Sequence, residues 1–164
     1  MQLFHPITLI GLTALAMAQT APMPPKLTLL YSMEALLGER FSLGPVPTGE
    51  ERIVIPIVGG TFTGPRMSGT VLNLGADWRL TDTSGAFRPE ARYNILTHDG
   101  SYITVQTAGM PAGPDGRAMV RGQFEAARNG PYAWLNDVVG VGVLRRNGTG
   151  SVEIEMWEVS LMVL

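Results

Sequence analysis

The chain contains no cysteine. Disulfide cross-links, thiolate nucleophiles and cysteine-ligated zinc are therefore excluded. Histidine is nearly as scarce, with only His5 and His98. A histidine-rich metal site cannot be built from that stock, and no metal site is expected. A Ser-His-Asp triad would depend on His98 leaving the turn in which it sits. Charged residues make up 16% of the chain and the net charge is −2. There is no basic footprint for nucleic acid and no acidic tail. The glycines around 59–64 lack the lysine and following helix of a phosphate loop, and no dinucleotide-binding fingerprint exists. No cofactor is expected.

What is present is glycine and proline: 20 and 12 residues in a chain of 164. That length fits one domain. That composition favours many turns over long helices. At the N-terminus, Ile7 to Leu15 is an apolar run of signal-peptide length, and Ala16-Met17-Ala18 offers a small-x-small cleavage site. The expectation is a secretion signal over residues 1–18, an extended lead-in over 19–25, a barrel domain over 26–164 and a secreted product. The apolar run is too short to cross a membrane as a helix, so no membrane association is expected after processing. Asn147-Gly148-Thr149 matches a glycosylation sequon.

The stretch from Ile57 to Leu80 shapes the fold reading. Glycines at 59, 60, 64, 69 and 75 interrupt β-prone residues. Glycine inside a strand pattern marks a bulge, a bend or a close backbone approach. Repeated bends describe a curved sheet, and curved sheets close into barrels. Short alternating runs continue to the C-terminus, with eight to ten strands in all. Pro56 demotes its own run to an edge or irregular strand. Asp82 to Gly85 reads as a turn. Asp99-Gly100, between Ala91–Thr97 and Ser101–Thr107, predicts a two-residue type I′ hairpin. Tyr132 to Asn136 reads as a helical turn or a strand start. The expected class is all-β: one antiparallel β-barrel, calycin-like or allene-oxide-cyclase-like.

Alternation along the strands leaves two arrangements open. In one, Trp78, Leu80, Tyr93, Ile95, Ile103 and Val105 fill the barrel and the charges are solvated. In the other, Asp77 and Arg92 point inward and meet across a cavity. Glu153 and Glu155 also share a strand face, which reads as a solvated one.

Four stretches carry a family resemblance: Gly59-Gly60-Thr61-Phe62-Thr63-Gly64-Pro65 running into Ser68-Gly69-Thr70-Val71; Gly75-Ala76-Asp77-Trp78; Ala91-Arg92-Tyr93 with Asp99-Gly100; and Phe124-Glu125 with Tyr132-Ala133-Trp134-Leu135-Asn136. In this order they resemble domain-of-unknown-function family 3237, found in bacteria and fungi. The resemblance runs from about Leu29 to Val159. It implies a small antiparallel barrel with a ligand cavity more than it implies a reaction.

The remaining chemistry belongs to Asp, Glu, Arg and Tyr. A buried aspartate can move a proton if burial raises its pKa. An arginine beside it can stabilise a developing oxyanion. Asp77 and Arg92 are the candidate catalytic pair. Trp78, Tyr93, Tyr132, Trp134 and Asn136 are the candidate substrate contacts, Trp78 and Tyr93 only if a bulge near Gly75 or Ala91 flips the alternation. The expected activity is cofactor-free isomerisation, cyclisation or dehydration of a small hydrophobic molecule, polyketide- or terpenoid-like. The alternative is a secreted barrel that binds such a molecule without converting it. The partner in either case is a small hydrophobic molecule, and homo-oligomerisation is left open.

Overall fold

The computed structural model describes residues 22–148 and 150–162. The signal segment, the first part of the lead-in and sequon residue Thr149 lie outside the described residues. Ten strands run in chain order: β1 (Lys26–Leu37), β2 (Phe41–Pro45), β3 (Glu51–Thr63), β4 (Ser68–Thr81), β5 (Phe87–Arg88), β6 (Glu90–Thr97), β7 (Tyr102–Gly109), β8 (Ala118–Ala126), β9 (Val139–Asn147) and β10 (Ser151–Ser160). A 3-10 helix, Ala133–Asp137, lies between β8 and β9. Every pairing is antiparallel.

The sheet runs β3-β1-β10-β9-β8-β7-β6-β4, and β4 pairs back onto β3. That closure removes the free edges of the eight main strands. The two short strands extend one end of the wall: β2 lies against residues 51–54 of β3, and β5 lies against Leu80 and Thr81 of β4. Neither was legible in the sequence, because each lies in a stretch whose glycines and prolines read as loop. Pro56 falls between the part of β3 paired with β2 and the part paired with β1 from Ile57 onward. A residue without an N–H is tolerated in such a gap.

Bulges curve the wall where the glycines predicted them. The β3–β4 register slips between Pro56 and Thr61. On the other side of β4, Val71 pairs with Ile95 and Gly75 with Tyr93, so residues 72–74 bow out opposite Asn94. Asn94 fastens that bow, donating from its amide to the Leu74 carbonyl at 3.4 Å and accepting from Thr104 Oγ1 at 2.9 Å. Gly75 is required here. A Cβ at this position would stand 2.4 Å from the Arg92 carbonyl oxygen and 2.8 Å from the Tyr93 Cα.

The core fills one end of the barrel. Tyr31 makes edge-on contacts with Phe62 and Phe124, at centroid distances of 5.7 and 6.4 Å. Ile95, Ile103, Val105, Met156 and Leu135 of the 3-10 helix are fully enclosed with them. The helix therefore plugs this end.

The β6–β7 hairpin belongs to the same end, and its turn differs from the expected one. Gly100 has φ +86°, and no non-glycine residue among those described has positive φ. A type I′ turn needs positive φ at two central residues. Here Gly100 N–H bonds the Thr97 carbonyl and Thr97 N–H bonds the Ser101 carbonyl. The loop is thus three residues, His98-Asp99-Gly100, with glycine in the left-handed position of a bulge.

Candidate active site at the open end of the barrel

At the end opposite the 3-10 helix, the inward faces of β1, β3, β4, β6, β7, β9 and β10 enclose a narrow cavity of about 50 Å³. Its walls are mainly aliphatic: Ala35, Leu37, Ile55, Ile57, Ala91, Leu144, Val152 and Ile154. Phe87 and Pro89 contribute from the segment that crosses the mouth. The polar lining is Asp77, Arg79, Tyr93, Thr107 and Arg146.

Asp77 and Arg79 reach this cavity because they are two residues apart on β4, and side chains on a strand repeat with a period of two. The β4–β6 register pairs Asp77 with Ala91 and Gly75 with Tyr93. Asp77 and Tyr93 therefore face the same way. Arg92 pairs with Ala76 and lies exposed on the outer wall, in a surface groove with Gln106, Arg121 and Gln123. The structure does not bring Arg92 to Asp77. Arg79, two residues along β4 from Asp77 on the same face, occupies the position that Arg92 was expected to fill.

The mouth segment is pinned at both ends. Asp82 Oδ1 accepts the Ser84 and Ala86 N–H groups at 2.9 and 3.1 Å, forming the turn after β4. Arg88 Nη1 meets Glu50 Oε1 at 2.6 Å, and Glu90 N–H donates to Asp77 Oδ1 at 2.9 Å. Arg79 lies over Phe87, 4.7 Å from guanidinium carbon to ring centroid.

Burial pushes the Asp77 carboxyl above the usual carboxylate range. The bond from Glu90 N–H and the charge of Arg79 pull it down, and burial prevails. Burial likewise lowers Arg79 from its ordinary value, against the pull of Asp77, and Arg146 and Arg40 add to the lowering. An arginine so shifted remains protonated at neutral pH. Burial pushes the Tyr93 phenol up to about 12 and raises Tyr31 well above its ordinary value. The two hydroxyls lie near enough to affect one another, yet neither makes a hydrogen bond of normal geometry. Arg79 is 9% exposed and its Nε is buried without a partner. The lining thus offers a carboxyl that can carry a proton and a fixed cation beside it, while the Tyr93 hydroxyl is enclosed next to that of Tyr31.

The other expected contacts lie elsewhere. Trp78 alternates with Asp77 and is 38% exposed on the outer wall. Leu80 shares that face, whereas Ile95, Ile103 and Val105 fill the interior. Tyr132 and Trp134 pack against the core at the plugged end. Arg66 stacks over Trp134 at 3.7 Å and meets Glu158 at 2.5 Å. The Asn136 amide exchanges two hydrogen bonds with the Ala126 backbone, at 2.8 and 3.1 Å, and locks the 3-10 helix to β8. Tyr132, Trp134 and Asn136 therefore do not converge with Asp77. His98 is exposed in its turn, with Nδ1 2.6 Å from Ser68 Oγ. Among the described residues, no group of three His, Asp or Glu side chains is placed to hold a metal.

Residues 25–122 match the model of the family described as Protein of unknown function (DUF3237). The chain belongs to this family. A UPF0311 protein of Rhodopseudomonas palustris is 38% identical over 85 residues, which cover 52% of this chain and 55% of that one. The chain thus spans about half the length of the curated relatives it matches. Solved structures align over more. A β-barrel-like protein from Acinetobacter baumannii superposes with TM-score 0.78 at 31% identity, covering 87% of this chain and 100% of the other. A structure described as an enzyme from Penicillium herquei superposes with TM-score 0.67 at 25% identity, covering 87% and 99%. This DUF3237 chain therefore shares its barrel with a protein described as β-barrel-like and with one described as an enzyme.

Proposed function

We propose that this DUF3237 protein is a cofactor-free acid–base enzyme acting on a small hydrophobic molecule held in the open end of the barrel. The observation that carries the reading is the joint placement of Asp77 and Arg79 on one cavity wall, both withdrawn from water. In this reading Asp77 takes a proton from one atom of the substrate and returns it to another. Arg79 holds the oxygen on which negative charge develops. Returned to carbon, the proton completes an isomerisation or cyclisation. Delivered to a hydroxyl, it completes a dehydration with release of water. The likeness to a barrel described as an enzyme supports this reading at the level of fold analogy.

The mainly aliphatic walls favour a second reading, a barrel that holds a small hydrophobic ligand without converting it. One experiment separates the two. The purified protein is incubated in D2O with a panel of β-hydroxyketones, cyclic diketones and unsaturated ketones, and proton NMR follows loss of C–H signals and new products. Deuterium uptake or conversion above the uncatalysed rate, lost in Asp77→Asn, supports the enzyme. Ligand-induced shifts without exchange or conversion support the binding barrel.

A further inference from the structure

Arginine is unusually placed at the cavity. Arg79 and Arg146 both line it, and a surface groove leads outward from it past Leu37, Ile55 and Arg146 to Arg40. The lining of the cavity itself includes two arginines and a single acidic residue, Asp77. Among the described residues, none of the five ion pairs includes Arg40, Arg79 or Arg146. Two carboxylates lie close by without forming an ion pair to any of the three: Glu39 lines the groove beside Arg40, and Glu51, which accepts from Ser42 Oγ at 2.5 Å, acts on Arg79. Arg79 supplies a second, independent observation. It is nine-tenths buried, and its Nε lacks a partner. A buried N–H of a charged group left unpaired is costly, and an anionic oxygen is its natural partner.

We infer that the ligand of this cavity is an anionic amphiphile: a slim apolar body against the aliphatic walls, with a carboxylate held by Arg79 inside and Arg146 and Arg40 at the mouth. The inference rests on the proposed ligand cavity but not on any turnover there. Two features support it. Guanidinium is the side chain best matched to a carboxylate, through two parallel N–H bonds. The narrow cavity suits a slim chain or a single ring.

Calorimetric titration tests this with hexanoate and 3-phenylpropanoate against their neutral primary amides, at low salt and at 0.5 M salt. The acids should bind at least ten-fold tighter than the amides, and the preference should shrink in high salt. Arg79→Met should abolish the preference, and Arg146→Met should reduce it several-fold. Arg146 is exposed, so its variant tests the inference even if Arg79→Met fails to fold. Equal binding of acids and amides, failure of both to bind at millimolar concentration, or a preference that survives Arg146→Met would overturn the inference. Acid-selective binding without turnover of any compound would leave it standing while removing the enzyme reading.

Discussion

Asp77 stands directly opposite Ala91 across the β4–β6 ladder, and this single pairing decides which arginine shares its cavity. Ala91 and Tyr93 face inward, so Asp77 does too. Arg92, one residue along, faces out. A one-residue slip of register would exchange the two faces completely. The bow at residues 72–74 and the close approach at Gly75 hold the register in place.

Gly75→Ala tests that statement. The new methyl would meet backbone at under 3 Å, on a residue with φ +152°. Relief requires β4 and β6 to separate beside the candidate site. The expected cost is about 2–4 kcal/mol in chemical denaturation. A loss under about 0.5 kcal/mol would mean the strands are not in this contact.

Gly100→Val probes a different part of the barrel. A Cβ there would meet nothing within 4 Å, so only the backbone conformation at φ +86° opposes substitution. The expected loss is about 1–2 kcal/mol. An unchanged denaturation midpoint would contradict the left-handed assignment of Gly100.

The raised pKa of Asp77 has a signed consequence for stability. The folded protein holds this proton more tightly than the unfolded chain does. Between the unfolded value near 3.9 and the higher folded value, stability therefore falls as pH rises. Asp77→Asn lacks this term. The melting temperature of the variant should gain on that of the wild type as pH increases through the window, then run parallel above it. A variant melting temperature that instead falls relative to the wild type with rising pH would mean that Arg79 and the Glu90 N–H outweigh burial.

Trp134 and Tyr132 give a contrasting expectation, since they pack at the plugged end. Trp134→Ala should cost about 1–2 kcal/mol through lost packing. Hexanoate affinity should change less than two-fold. A large loss of affinity with stability intact would place the ligand at the wrong end of the barrel.

The barrel was legible because glycine-punctuated alternation is a local signal, and β3, β4 and the β6–β7 hairpin carry it strongly. The short strands β2 and β5 carry almost none. The site was half legible. Asp77 and Tyr93 could each be marked as inward candidates, but both arrangements read from the sequence treated their strands as if Arg92 paired across from Asp77. Each was right about some residues: Tyr93, Ile95, Ile103 and Val105 point inward, and so does Asp77. Which face of β6 accompanies which face of β4 depends on how many residues bow out before Gly75. Alternation within one strand does not contain that number. Trp134 and Asn136 have side chains suited to binding a substrate, yet Trp134 packs against the core and Asn136 fastens the 3-10 helix to β8.

In the proposed function the chemistry belongs to Asp77 and Arg79 in the open end of the barrel. The most direct test of this is to take one compound converted by the wild type in the D2O screen and compare its turnover by Asp77→Asn, Arg79→Met and Arg92→Met, with circular dichroism confirming that each is folded. The expected result is a loss of about 10²–10⁴-fold for Asp77→Asn, a comparable loss for Arg79→Met, and near wild-type turnover for Arg92→Met. Full activity in Asp77→Asn together with loss in Arg92→Met would contradict it and move the site to the outer wall.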